Sequence, residues 1–219
     1  MKKENLIFIP IAGNAVLEGD LQIPRGAKGV VIFAHGSGSS RFSPRNRFVA
    51  EILQKGSLGT LLIDLLTKEE EVVDQVTAAI RFDIPHLTER LMTVTKWLLT
   101  QETTKGLPMG YFGASTGAAA ALCAAARLTK EIGAVVSRGG RPDLAQQDLA
   151  RVSAPTLLIV GGHDFAVIEM NTSAYQLLTC EKKMRIVAGA THLFEEPGSL
   201  EEVARLALEW FTSHFGPFS

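Results

Sequence analysis

Leu107-Pro108-Met109-Gly110-Tyr111-Phe112-Gly113-Ala114-Ser115-Thr116-Gly117-Ala118-Ala119-Ala120-Ala121-Leu122 changes character at its centre. An apolar, strand-like run ends at Phe112, a five-residue stretch of small residues follows, and an alanine-rich helical run extends from Ala118 to Leu128. A serine hydroxyl is a poor nucleophile unless the backbone thrusts it out beside a base and an oxyanion trap. Small residues on both flanks permit the sharp strand-to-helix turn that does this. Ser115 is therefore the candidate nucleophile.

The surroundings of this stretch extend the same pattern. Leu6 to Ile11 and Ala15 to Ile23 read as strands joined at Gly13-Asn14, a turn pair suited to a hairpin. Gly29 to Ala34 is an almost uninterrupted apolar run, as expected of an interior parallel strand covered on both faces. A helix over Asn46 to Gln54, a strand over Gly59 to Ile63 and a helix near Leu87 to Leu99 lead to the central stretch. Glu69-Glu70-Glu71 reads as the start of a further helix, because acidic side chains stabilise the positive end of a helix dipole. Downstream come a strand over Gly133 to Val136, a short helix near Asp143 to Ala150 and a strand over Thr156 to Val160. A helix near Val167 to Leu178, a strand over Met184 to Val187 and a last helix from Leu200 to His214 complete the chain. Repeated strand–helix–strand units with right-handed crossovers give an α/β class: a mostly parallel central sheet flanked by helices on both faces. No repeat, low-complexity tract or linker interrupts the 219 residues, so residues 1–219 are expected to form one domain.

Composition narrows the function classes. Hydrophobic residues at 46% and charged residues at 21% describe a compact folded chain rather than a disordered one. With 22 basic against 23 acidic residues the net charge is −1, so no nucleic acid and no membrane surface is expected as a partner. The segment before Pro10 is too brief and interrupted for a signal-peptide core. The longest run free of polar groups, Gly117 to Ala126, falls short of the ~20 residues that span a bilayer. Cys123 and Cys180 form neither a disulfide framework nor a zinc motif, which fits a reducing, cytoplasmic setting. Cys123 itself reads as a small buried apolar side chain in the alanine-rich helix.

A hydrolytic serine needs a general base, and the base needs a carboxylate to fix its tautomer. In a parallel sheet, residues that follow different strands converge on one edge, so position after a strand is the test. His192, in Gly189-Ala190-Thr191-His192 between the last strand and the last helix, passes it. His35 reads as a support of its own loop, His86 as structural, and His214 as a solvated residue of the last helix. Asp164, after a strand and the turn Gly161-Gly162-His163, is the carboxylate candidate, preferred to Asp143, which reads as a helix-start residue behind Pro142. Asp64 reads as a loop brace and Asp83 as a helix cap. Glu195 and Glu196 read as the solvated beginning of the last helix. The oxyanion donors expected are the backbone amides of Thr116 and of Ser37, in the loop His35-Gly36-Ser37-Gly38-Ser39.

The strand followed by His35-Gly36, the elbow Gly113 to Gly117, the Gly-Gly-His-Asp turn and His192 resemble the α/β-hydrolase superfamily in its chain order of nucleophile, acid and histidine. The stretches His35 to Arg47 and Gly189 to Gly198, with the short length, are similar to its dienelactone hydrolase-like group. The resemblance implies an α/β-hydrolase fold and the triad Ser115, Asp164 and His192. It also implies a reaction that requires no metal and no organic cofactor. Dienelactone hydrolases proper carry cysteine at the elbow, so Ser115 keeps a dienelactone substrate from being carried over. The short span from Val136 to Thr156 leaves no room for a large cap domain, which favours small esters, lactones or thioesters as the small-molecule acyl substrate. An acyltransferase, a carbon-bond lyase and a non-catalytic module of the same fold are the alternatives. Arg41, Arg45, Arg47, Arg138 and Arg141 follow strands on the same edge and read first as surface loop supports. Arg138 is carried forward as a candidate substrate contact, because a guanidinium binds carboxylate or phosphate through paired donors. The oligomeric state is left open.

Overall fold

The computed structural model describes residues 6–216. Among these residues eight strands form one sheet: β1 (Leu6–Pro10), β2 (Val16–Gln22), β3 (Val30–Ala34), β4 (Gly59–Ile63), β5 (Met109–Ala114), β6 (Ile132–Arg138), β7 (Thr156–Gly161) and β8 (Lys182–Val187). Their order is β1-β2-β4-β3-β5-β6-β7-β8. The hairpin strands β1 and β2 pair antiparallel, β2 meets β4 antiparallel, and all remaining pairs are parallel.

Among the described residues six α-helices accompany the sheet: α1 (Pro44–Lys55), α2 (Lys68–Thr77), α3 (Ile84–Thr100), α4 (Thr116–Arg127), α5 (Phe165–Leu177) and α6 (Ser199–His214). Their starts follow local chemistry. The Ser43 hydroxyl caps α1 ahead of Pro44. A reciprocal capping box of Thr67 and Glu70 opens α2, placing Glu69, Glu70 and Glu71 in its first turn, and the Asp83 carboxylate accepts the His86 amide to open α3.

Alternation along the buried strands divides the core in two. Ile32, Tyr111, Val135 and Leu158 face α3, α4 and α5, whereas Phe33, Phe112, Val136 and Ile159 face α1 and α6. Every residue of α4 from Thr116 to Ala126 is buried, and its alanines let the helix axis lie close to the sheet. Leu87, Leu91, Val94 and Leu98 line the inner face of α3. Burial of each such side chain contributes about 1.5–3 kcal/mol.

The topology creates the crevice. From β3 the chain crosses α1 to β4 on one side, whereas β5 continues through α4 to β6 on the other, so the strand order reverses between β3 and β5. The space beyond the carboxyl ends of these two adjacent strands is where open α/β sheets take their ligands. The loop from His35 leaves β3 there, and Ser115 leaves β5 there.

Three local readings differ from the sequence-based expectation. The segment Pro142–Arg151 is 3₁₀ rather than α, broken at Gln146, whose φ of 46° cannot continue a right-handed helix. It nevertheless supplies no cap domain between β6 and β7. His214 is not solvated: its ring packs on Trp210 with centroids 4.3 Å apart, and Nδ1 lies 2.7 Å from the Trp210 carbonyl oxygen. Arg138 is not on the surface either; it is 7% exposed.

Candidate active site

Ser115 has φ 49° and ψ −122°, a backbone conformation that costs a non-glycine residue about 1–3 kcal/mol and persists where its surroundings impose it. The flanking glycines impose it. A Cβ on Gly113 would lie 2.4 Å from the Ala118 Cα, and one on Gly117 would lie 2.3 Å from the Ala34 carbonyl oxygen. Only hydrogen at these two positions lets α4 turn this tightly off β5 and against β3. The Ser115 amide donates to the Arg138 carbonyl at 3.3 Å, and the Arg141 amide donates to the Ser115 carbonyl at 3.0 Å. The elbow is thereby tied to the end of β6. From the other side Gly36 closes on it, since a Cβ there would stand 2.9 Å from the Ser115 Cβ.

His192 and Asp164 come from neighbouring loops. Gly161, at the end of β7, lies so close to the loop after β8 that a Cβ would be 2.5 Å from the Ala190 carbonyl oxygen. The His163 amide donates to that same carbonyl at 2.9 Å. These contacts set His192 Nδ1 2.6 Å from Asp164 Oδ2. With its proton on Nδ1 shared with the carboxylate, the imidazole keeps the lone pair of Nε2 for a proton acceptor role. The same ring flanks the β6 corner that holds Ser115: a Cβ on Gly139 would sit 3.6 Å from His192 Cε1. Asp143 is committed elsewhere, accepting Arg141 Nε at 2.9 Å and Nη2 at 2.8 Å.

The loop after β3 is braced from behind. The Arg41 amide donates to Asp64 Oδ1 at 2.6 Å, the Arg41 guanidinium also pairs with Asp64, and its Nη2 donates to Glu18 at 2.9 Å. Lys68 and Arg41 hold the Glu18 carboxyl below its usual range. His35 lies within this brace, its Nδ1 donating to the Gly36 carbonyl at 2.9 Å. The Ser37 amide is directed at Thr116, donating to its Oγ1 at 3.0 Å. The two residues expected to form the oxyanion trap are therefore neighbours, with the Thr116 hydroxyl engaging the Ser37 N–H. Beside this loop a cleft of about 280 Å³ is lined by Ser37, Gly38, Asp64, Gln75 and Arg81 among others. Among the described residues, no cluster of three or more His, Cys, Asp or Glu side chains is arranged to hold a metal ion.

Several contacts escape sequence reasoning. Glu195 and Glu196 belong to the loop before α6 and not to a solvated helix start: Glu195 accepts Arg45 Nη1 at 2.8 Å, and Glu196 accepts the Thr191 hydroxyl at 2.6 Å. Phe194, two residues past His192, is 1% exposed and has a φ of 57°. Each depends on where the loop returns to the sheet, which no local spacing encodes.

A mostly parallel sheet, a reversal of strand order above which a strained serine turn sits, and a histidine–aspartate pair on the next loops define the α/β-hydrolase fold, here without a large cap. The chain belongs to the dienelactone hydrolase family, whose model matches residues 17–219. A dienelactone hydrolase from Anabaena variabilis is 56% identical, with a TM-score of 0.94 over 97% of this chain and 98% of that one. Est1E from Butyrivibrio proteoclasticus shares the fold, with a TM-score of 0.79 at 16% identity over 95% of this chain and 98% of that one. Two Mycobacterium tuberculosis proteins named "Putative phosphoribosyl transferase" are 55% identical over 208 residues, which is 94% of this chain and 46% of theirs. The chain thus spans under half the length of these relatives.

Proposed function

We propose that the chain is a serine hydrolase that cleaves a small carboxylic ester, lactone or thioester through an acyl-enzyme on Ser115. The observation that carries this reading is the 2.6 Å bond from His192 Nδ1 to Asp164, which leaves Nε2 as a base on a loop flanking the serine elbow. Ser115 Oγ attacks the acyl carbon while His192 takes its proton. The imidazolium that forms is stabilised by Asp164 and protonates the leaving group, and water then attacks the acyl-enzyme with His192 again as base. The amides of Ser37 and Thr116 stabilise the oxyanion, the Thr116 hydroxyl rotating off the Ser37 N–H as the charge develops. The reaction needs neither metal nor organic cofactor, and a cytoplasmic location is part of the same proposal.

The uncapped cleft favours short acyl groups. In a panel of p-nitrophenyl esters, kcat/KM is expected to be highest for short chains, and Ser115→Ala or His192→Ala to lower kcat by at least about 10⁴-fold. Equal rates in the variants would reject the triad, and a preference for long chains would reject the substrate size. Adding an alcohol or amine acceptor separates hydrolysis from acyl transfer by product. Phosphoribosyl transfer is not proposed for this chain: that name belongs to proteins more than twice its length, and the site offers acyl-transfer groups.

A further inference from the structure

Arg138 ends β6 directly beside the elbow, paired in register with Ala114, and its carbonyl holds the Ser115 amide. Its side chain runs to the first turn of α1, where Nη2 donates to Asn46 Oδ1 at 3.5 Å, and its guanidinium carbon stands 5.8 Å from the Phe194 ring centroid. It is 93% buried in consequence of these neighbours, and Nε has no hydrogen-bond partner. Among the described residues no carboxylate pairs with it. The nearby charge is instead a second cation, Arg45, whose Nε is also buried without a partner. Arg45 reaches one carboxylate, the exposed Glu195. Both guanidiniums lie at the N-terminus of a twelve-residue helix that has no acidic side chain in its first turn, where the dipole adds further positive potential.

Buried charges are ordinarily paired, and a guanidinium presents planar donors matched to carboxylate and phosphate. A buried arginine without a carboxylate partner, with an idle Nε donor, beside a second arginine at the start of α1 and on the strand end whose carbonyl holds the Ser115 amide, carries positive charge that an anion would compensate. We propose that Arg138 and Arg45 bind an oxyanion, carboxylate or phosphate, carried by the substrate. The role of the site as a substrate pocket rests on the serine hydrolase reading; its capacity to bind an oxyanion does not. Burial and the neighbouring Arg45 push the Arg138 guanidinium down to about 10, still fully charged at neutral pH and compensated once an anion arrives.

The test is calorimetric titration of the Ser115→Ala protein with inorganic phosphate and, separately, with succinate, at constant ionic strength set by chloride. Saturable binding of at least one, weakened about 10- to 100-fold by Arg138→Gln and by Arg45→Gln, is the result expected. The tighter of the two identifies the natural group. Should Arg138→Gln fail to fold, Arg45→Gln, at a side chain that is 28% exposed, decides. Absence of binding by both anions, or binding that survives the substitutions unchanged, overturns the site. Because no turnover is read, wild-type protein inactive on esters but binding the anion would reject the hydrolase reading alone. Ester turnover without anion binding would reject the anion site alone.

Discussion

At the residue scale, the 2.6 Å hydrogen bond between Asp164 and His192 does one specific thing: it fixes which imidazole nitrogen carries the proton. Asp164→Asn preserves the size of the side chain but favours the opposite tautomer, so kcat is expected to fall by about 10³- to 10⁴-fold with KM little changed. Steady-state kinetics on a short-chain ester checks this, and a loss below tenfold would contradict it. Cys123 provides the opposite case of a nucleophilic residue type made inert. It is 5% exposed in α4, and burial together with nearby Asp148 pushes its thiol up to about 11. At pH 7 the native protein is expected to show no alkylation of Cys123 by iodoacetamide, read by mass spectrometry, until denaturant is added. The placement of Ser115, Asp164 and His192 was legible because each stands in a loop that follows a strand, and the burial of Cys123 because it lies among alanines. The buried Arg138 and the pairing of Ser37 with Thr116 were not legible, since each is defined by a contact across distant segments.

At the element scale, the elbow works because β5 and α4 can approach β3 without a side chain between them. Gly117→Ala would place a methyl group against the Ala34 carbonyl, where backbone has nowhere to go, and is expected to cost more than about 3 kcal/mol. Gly216→Ala, with open space around its Cβ position, serves as the control and is expected to be neutral. Urea denaturation of both variants checks this, and a neutral Gly117→Ala would contradict the packing described. The turn after α2 has a pH-dependent fastening. The Asp74 carboxylate accepts the Ile80 amide at 2.7 Å, the Arg81 amide at 2.9 Å and Arg81 Nε at 2.6 Å. Burial pushes its carboxyl upward, but the Arg81 and Ile80 donors outweigh that and hold it below its ordinary value of 3.8. A lowered carboxyl stabilises the folded joint above its unfolded value and loses that stabilisation as pH falls through the folded one. Amide exchange at Ile80 and Arg81, corrected for intrinsic rates, is therefore expected to be protected at pH 5 and to lose protection below pH 3.8. Asp74→Ala is expected to lack the protection at both. The start of α2 was legible from Glu69-Glu70-Glu71 and that of α3 from Asp83, each close to its N-terminal end. The 3₁₀ stretch Pro142–Arg151 was not, because the left-handed Gln146 that breaks it is not a residue whose type announces a turn.

At the scale of the whole molecule, the site exists because strand order reverses between β3 and β5, so that loops distant in sequence meet above one crevice. The alternation of strand and helix made the parallel sheet readable from sequence, and buried β3, β4, β5 and β7 account for its uninterrupted apolar runs. The order of the strands was not readable, since nothing local states on which side of β3 the chain will lay β4. The family match over residues 17–219 and the 0.94 TM-score to a dienelactone hydrolase agree with that architecture, while the acyl chemistry proposed for Ser115 rests on the elbow and on the His192–Asp164 pair. The most direct measurement is treatment of the folded protein with a fluorophosphonate followed by peptide mass mapping. A single adduct on Ser115, absent from Ser115→Ala and strongly slowed in His192→Ala, is the expected result. Labelling at another residue, or at the same stoichiometry in Ser115→Ala, would contradict it.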